Sequence, residues 1–183
     1  MADSERPIFY FDFSSPECWL AAERVNHALG VVPVWTPVRV EGGGGRPPRE
    51  ALTGLAGRAA ADGLLAPRLP EPWPEDIEVA LRAATFAAAS GRVVAFSLAA
   101  LRQAFTAGRD LSEVDNVLIA AAACELHPRA VLKGVESRSI AQRLGAASRG
   151  AAARGVQALP AIVLADRVFH GPSVIDDASR ELA

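Results

Sequence analysis

Apolar residues form short continuous runs at the two ends of the chain and recur at helical spacing between them. Residues 6–13 read RPIFYFDF, a β-branched and aromatic run that predicts a buried strand. The following SSPE predicts the start of a helix in one of two ways. Either Ser14 and Glu17 form a capping box, or Ser15 caps a helix whose first residue is Pro16.

The middle of the chain predicts one more strand and then a long helical block. Residues 31–40, VVPVWTPVRV, form a strand whose prolines place it at a sheet edge, because proline has no N–H to donate. Residues 41–48, EGGGGRPP, are a loop, and residues 49–63 are an Ala-rich helix. From about Ile77 to Arg154, apolar residues recur near i, i+3 and i+4, and each segment stops at Gly or before Pro.

The C-terminal part predicts a hairpin and a closing helix. ALPAIVLA (158–165) and RVFHG (167–171) are expected to be strands, with Asp166 and Arg167 in the turn between them. Residues 174–182 are expected to be helical. The predicted order is therefore β-α-β, a helical block, and β-β-α.

This element order is the plan of an α/β thioredoxin fold with an inserted all-helical domain. Right-handed crossovers restrict the strand arrangements that are possible. We expect residues 1–48 and 155–183 to form the thioredoxin-like domain, and residues 49–154 to form the insertion.

Composition excludes several functional classes. Half of the 183 residues are hydrophobic, and 19 basic against 21 acidic residues leave a net charge of −2 with no block of one sign. We therefore expect no nucleic-acid partner and no membrane partner. The N-terminus lacks the pattern of a signal peptide, and Cys18 and Cys124 do not resemble a disulfide framework, so we expect a cytoplasmic protein. No His/Cys/Asp cluster has metal-ligand spacing.

The first place for chemistry is Ser15-Pro16-Glu17-Cys18, where a thioredoxin fold carries a C-x-x-C dithiol. A serine in the first position cannot form a disulfide, but it can donate a hydrogen bond to the thiolate of a ligand beside the helix end. The alternative is that Ser15 is a plain N-cap and that Cys18 is a small buried hydrophobic residue.

The second place is the sequence Leu159-Pro160 before the third strand. A cis bond would explain a proline there and would leave the backbone of Leu159 available to an extended, peptide-like ligand. The alternative is a trans proline that opens an edge strand. In the predicted fold, this loop lies next to Ser15.

Two further residues are candidates for a substrate pocket. His170 ends a predicted strand and is able to orient a substrate or act as a base, or it is a partly exposed strand residue. Trp19 lines an aromatic pocket or belongs to the core.

The chain resembles a known family in FYFDFSSPECWLA (9–21), in EPWPEDIEVALRAATFAAASGRVVAFSLAALRQAFTAGRDLSE (71–113) and in ARGVQALPAIVLADRVFHG (153–171). This family is the DsbA-like branch of the thioredoxin superfamily, and within it the chain is most similar to 2-hydroxychromene-2-carboxylate isomerases and kappa-class glutathione transferases. The resemblance implies a homodimer with a glutathione site between the thioredoxin-like domain and the helical insertion.

The resemblance also assigns roles to residues. Ser15 matches the serine that contacts the glutathione sulfur, next to Pro16, and Leu159 matches the residue before the cis-proline, Pro160, whose backbone pairs with the cysteinyl part. The family stretch that holds the γ-glutamyl end is replaced by Gly-Pro-Ser-Val, which leaves Ser173 as its hydrogen-bonding side chain and no carboxylate.

In the loop after the second strand, Arg46 is the cation left for a glutathione carboxylate. Three functions follow, in order of preference. The first is a glutathione-linked isomerase or transferase acting on a small aromatic electrophile, with Ser15 and Cys18 at the catalytic position. The second is a thiol-disulfide oxidoreductase that uses the single thiol of Cys18, and the third is a non-catalytic binding module.

Overall fold

The computed structural model describes residues 6–42 and 45–182, with a four-stranded sheet at the centre of this part of the chain. The strands are β1 (Ile8–Phe11), β2 (Val34–Pro37), β3 (Ala161–Leu164) and β4 (Arg167–His170). Their order across the sheet is β2-β1-β3-β4.

The strand directions follow the predicted connections. β1 and β2 are parallel and are joined by helix α1 (Pro16–Ala28), whereas β3 is antiparallel to both β1 and β4. The proline-containing β2 lies at an edge of the sheet, as its sequence predicts. The two ends of the chain thus form one sheet with a helical insertion between β2 and β3, which confirms the predicted thioredoxin fold.

Helices fill the chain between β2 and β3, and one more closes it. They are α2 (Arg49–Leu52), α3 (Leu55–Ala61), α4 (Glu78–Ala89), α5 (Val93–Phe105), α6 (Val114–Ala123), α7 (Pro128–Glu136), α8 (Arg138–Ala153) and α9 (Val174–Leu182). α5 and α9 pack against α1, while α4 and α8 pack against β2. Among the helices of the described ranges, none combines the length and the apolar character needed to cross a bilayer.

Both faces of the sheet are covered, which explains why β1 is an almost unbroken apolar run. Phe9 and Phe11 point to one face, stack with ring centroids 5.4 Å apart, and join the large core beneath α1 and the insertion. Tyr10 points to the other face and packs in a smaller cluster with Val163. The end of β1 is consequently held from both sides, and this fixes the position of the residues that follow it.

Two local predictions are wrong. Residues 49–63 do not form one helix, because the chain breaks between α2 and α3 at Gly54, which has a left-handed backbone (φ 79°) that favours glycine. The hairpin turn between β3 and β4 lies at Ala165 and Asp166, one residue earlier than expected, because Arg167 already pairs with Leu164.

Candidate active site

Helix α1 begins just after the end of β1, and Ser15 is its N-cap. Its backbone is extended (φ −126°, ψ 125°), and its hydroxyl oxygen accepts a hydrogen bond from the Glu17 N–H at 3.2 Å. Pro16 follows at the start of the helix, where an N–H has no partner inside the helix. Of the two predicted helix starts, the one capped by Ser15 is confirmed. The half-buried hydroxyl lies beside the positive end of the helix dipole.

The loop before β3 comes to the same place. The Leu159–Pro160 bond is cis, and Leu159 and Ser15 line one cleft of about 310 Å³. The Pro160 carbonyl accepts a hydrogen bond from the Gly171 N–H at 3.2 Å. Within residues 6–42 and 45–182, no backbone hydrogen bond engages the N–H or C=O of Leu159. The structure therefore brings a capping hydroxyl and an unpaired piece of backbone to one cleft.

Asp12 is a residue of this site that the sequence analysis missed. Its side chain is 5% exposed, yet it lines the cleft with Ser15 and also an adjoining cavity of about 90 Å³. Three groups donate to its carboxylate: the Ser14 N–H at 3.0 Å, the Ser14 hydroxyl at 2.7 Å and the Cys18 thiol at 3.6 Å. Burial raises the pKa of Asp12, although the hydrogen bonds from Ser14 oppose this shift. Its signal in the sequence is one acidic residue inside FYFDF.

Cys18 lies inside the molecule and not in the cleft. Its side chain is fully buried, and burial, together with the charge of Asp12, raises the pKa of Cys18 well above its ordinary value. A reactive thiol needs access and a lowered pKa. Placing Cys18 at the catalytic position is therefore not supported, and the alternative of a small buried hydrophobic residue fits.

The two residues suggested for a substrate pocket lie elsewhere. Trp19 is fully buried in the core, where its ring stacks on Phe105 and its indole N–H donates to Glu23 at 3.2 Å. His170 is exposed on the edge strand β4, and its Nε2 lies 3.4 Å from the carbonyl oxygen of Gly155. Neither lines the cleft, so this expectation is corrected: α1 turns Trp19 inward, and β4 turns His170 toward the end of α8.

The predicted contacts for the two ends of glutathione are placed differently. Arg46 lines the cleft, but its guanidinium is paired with Glu71 at 2.9 Å. Ser173 is exposed and donates to Asp177 at 2.8 Å. Asp176, in the first turn of α9, lines a second cleft.

The second cleft, of about 220 Å³, is lined by the cis-proline itself. Pro160 and Pro172 form part of its wall, and Glu17, whose N–H bonds to Ser15, contributes a side chain to it. The two clefts are lined by neighbouring residues, because Ser15 and Leu159 line the first and Glu17 and Pro160 line the second. The remaining wall comes from α1, α3 and α9.

The second cleft carries charges of both signs. Arg58 makes two short hydrogen bonds to Glu17, at 2.5 and 2.7 Å, and Arg24 contacts Asp176 at 2.7 Å and Asp62 at 3.5 Å. Two cations thus face three carboxylates, a set that complements an amino acid zwitterion. No local sequence motif indicates these residues, because they come from α1, from α3 and its C-terminal cap, and from α9, and their proximity appears only in the folded chain.

The comparisons with known proteins agree with this fold. A family model described as a DSBA-like thioredoxin domain matches residues 8–183. No curated protein sequence matches the chain.

Several solved structures are similar. The structure of 2-hydroxychromene-2-carboxylate isomerase has a TM-score of 0.84 and 16% identity, over 96% of this chain and 93% of that one. A probable DsbA oxidoreductase from Streptomyces coelicolor has a TM-score of 0.78 and 21% identity, over 97% and 88%. The oxidoreductase DsbA from Xylella fastidiosa has a TM-score of 0.62 and 16% identity, over 98% and 84%. At these identities the likeness establishes the fold.

Proposed function

Since the chain belongs to the family of DSBA-like thioredoxin domains, we propose that it is a glutathione-linked isomerase or transferase acting on a small aromatic electrophile. The observation that carries this proposal is that Ser15, at the start of α1, and Leu159, before the cis-proline, line one cleft. A hydroxyl and an unpaired backbone segment suit a small thiol peptide that the protein holds without a covalent bond.

The groups around the cleft fit glutathione along its length. The Ser15 oxygen accepts from the Glu17 N–H, which leaves its own proton free to donate to a sulfur. The N–H and C=O of Leu159 are available to the cysteinyl backbone, as at the edge of a sheet. Arg46 lies at one end for a carboxylate if it exchanges Glu71 for the ligand.

The charged second cleft fits the γ-glutamyl end. An ammonium group would be matched by Asp62 and Asp176, and a carboxylate by Arg24 and Arg58, if the ligand displaces the ion pairs among these side chains. The excess of one carboxylate in this cleft favours the ammonium group. These residues take the place of the family stretch that Gly-Pro-Ser-Val replaces.

Bound glutathione would supply a thiolate that adds reversibly to a conjugated electrophile. The Ser15 hydroxyl and the start of α1 hold this sulfur ionised, and Leu159 fixes the backbone beside it. An adjacent groove of about 500 Å³ shares Val40 and Gly42 with the cleft and offers Leu144 as an apolar wall. Its size falls within the range of about 300–1,000 Å³ typical of small-molecule sites, so it is the proposed place for the electrophile.

Calorimetric titration with glutathione tests the proposal. We expect millimolar or tighter binding to the wild-type protein. Ser15→Ala removes a hydrogen bond to a charged group, worth about 1.5–3 kcal/mol, so affinity should fall roughly tenfold to a hundredfold. Affinity for S-methylglutathione should change much less, because that ligand carries no thiolate.

A matched serine provides the control. Ser90 is exposed at the end of α4, and Ser90→Ala should bind glutathione as the wild type does. A flat trace at several millimolar glutathione, or equal affinities of Ser15→Ala and Ser90→Ala, would reject the proposal.

The unpaired backbone of Leu159 favours one second candidate, a peptide-binding module without catalysis. An extended peptide would pair with Leu159 as an added strand. Binding of cysteine-containing peptides, together with a flat trace for glutathione, would identify it. The oxidoreductase alternative has less support, because Cys18 is fully buried.

A further inference from the structure

We propose that Asp12 is the proton acceptor of this cleft and that it is reached through the hydroxyl of Ser14. The inference rests on the proposed glutathione function and adds a residue to it. Asp12 is unusually placed, because its carboxylate follows a core strand and is only 5% exposed, yet it lines the cleft together with Ser15 and Leu159.

The turn that Asp12 makes does not by itself require burial. Asp110 makes the same D-x-S turn before α6, where its carboxylate accepts from the Ser112 N–H at 2.7 Å and from the Ser112 hydroxyl at 2.6 Å. That turn is only partly buried and lines none of the clefts described above. Asp12 and Ser14 form the same kind of turn, but this turn is buried and lines the cleft.

The groups around Asp12 keep a negative charge available there. The Ser14 N–H, the Ser14 hydroxyl and the Cys18 thiol all donate to it, as suits a carboxylate and not a carboxylic acid. Arg39 faces it across the small cavity, but Asp76 already binds this guanidinium at 3.0 Å, and Glu75 adds another carboxylate to the wall. Asp12 is thus a buried charge with weak cationic compensation, which makes it a stronger base than an exposed aspartate.

A bound thiol would pass its proton to Asp12 through Ser14, which also lines the cleft. The Ser14 oxygen takes the thiol proton while its own proton moves to Asp12 Oδ2, 2.7 Å away. The S–H bond and the Ser14 O–H bond break, and a new Ser14 O–H bond and an Asp12 O–H bond form. The negative charge moves from Asp12 to the sulfur, and the total charge of the site does not change. The reverse transfer returns the proton when the thiol leaves.

Proton counting by calorimetry tests this route without a turnover assay. Glutathione is titrated near neutral pH in buffers of different ionisation enthalpy, which gives the number of protons released on binding. The wild type should release almost none, because Asp12 retains the proton. Asp12→Asn cannot accept it, so this variant should release about one proton for each glutathione bound. S-methylglutathione, which has no thiol proton, should release none from either protein.

Asp110→Asn is the matched control, since it alters the same kind of turn away from the cleft. It should release as few protons as the wild type. A measurement on the wild type alone provides an independent test. Its infrared difference spectrum should gain the band of a protonated carboxyl group when glutathione binds.

The outcomes separate this inference from the proposed function. If glutathione binds to Asp12→Asn as a thiolate, seen in its ultraviolet absorbance, and this variant and the wild type release the same number of protons, the inference is overturned. If glutathione stays a protonated thiol in Asp12→Asn but is a thiolate in the wild type, the inference is supported. A missing carboxyl band in the liganded wild type overturns it as well. If glutathione gives no heat with the wild type, with Asp110→Asn or with Asp12→Asn, the proposed function itself fails.

Discussion

The packing of α7 against α4 can be tested with one added methyl group. Gly134, in α7, is buried against Phe86 of α4, and a Cβ built on Gly134 would lie 2.6 Å from Phe86 Cδ2 and 2.7 Å from Phe86 Cγ. Gly150, in α8, is exposed, and a Cβ there would meet nothing within 4 Å. Glycine to alanine at these two positions therefore makes the same chemical change in opposite surroundings.

Two opposing effects determine the magnitude. Alanine is favoured over glycine inside a helix by up to about 1 kcal/mol. Overpacking costs about 1–3 kcal/mol, and the added Cβ would also lie 3.1 Å from Phe86 Cβ, which cannot move aside by a side-chain rotation. Gly134→Ala should therefore lose about 1 kcal/mol of unfolding free energy on balance. Gly150→Ala should gain a few tenths of a kcal/mol up to about 1, because only the helix preference applies.

Thermal and urea unfolding followed by circular dichroism give the comparison. For a chain of this length, 1 kcal/mol shifts Tm by roughly 2–4 °C, so the two variants should move Tm in opposite directions. If Gly134→Ala is as stable as Gly150→Ala, the close approach of α7 to α4 is refuted. The position of α4 also matters for the site, because Asp76, just before α4, lines the small cavity next to Asp12.

Three further predictions concern the site. Asp12→Asn should stabilise the protein at neutral pH. Burial raises the folded-state pKa of Asp12, so the wild type loses stability as pH rises through that pKa. The urea midpoints of the two proteins should therefore converge in acid and separate as pH increases. Cys18 should resist alkylation in the folded protein, because its side chain is buried and burial raises its pKa. Mass spectrometry should find Cys18 modified only after unfolding, and rapid labelling at neutral pH would contradict this prediction. Asp176→Asn should weaken glutathione binding by up to about fivefold, a modest loss because the carboxylate is 57% exposed. It should leave the binding of cysteinylglycine, which lacks the γ-glutamyl group, unchanged. An equal loss for both ligands would place the γ-glutamyl end elsewhere.

Much of the fold can be predicted from the sequence, because its signals are local. The aromatic run of β1, the prolines of β2 and the Ser-Pro start of α1 each reflect backbone and burial rules that act over a few residues. The closing helix α9 has the predicted bounds, Val174–Leu182. The break at Gly54 was missed because the alanines around it favour a helix more strongly than one glycine opposes it.

The site was less predictable, because it depends on proximity and on side-chain direction. Ser15 and Leu159 were found through local motifs whose fold places them together. The burial of Trp19 is set by the face of α1 that α5 covers, and a short motif does not show which face that is. Arg58 and Asp62 gain significance only in the folded chain, where they form ion pairs with Glu17 and Arg24 of α1. In the sequence, Asp12 is a single acidic residue among apolar ones, and only the folded chain shows that it lines a cleft.

The proposed reactive groups, Asp12, Ser14 and Ser15, follow one another closely in sequence. The second cleft instead takes Arg58 from α3, Asp62 from the C-terminal cap of α3, and Asp176 from α9. Natural variation or directed evolution can therefore change codons of α3 and α9 while the reactive stretch is inherited intact. Ligand preference would then change through substitutions in α3 and α9, while the reactive residues stay the same. Mutant libraries aimed at new thiol cofactors should therefore target these two helices.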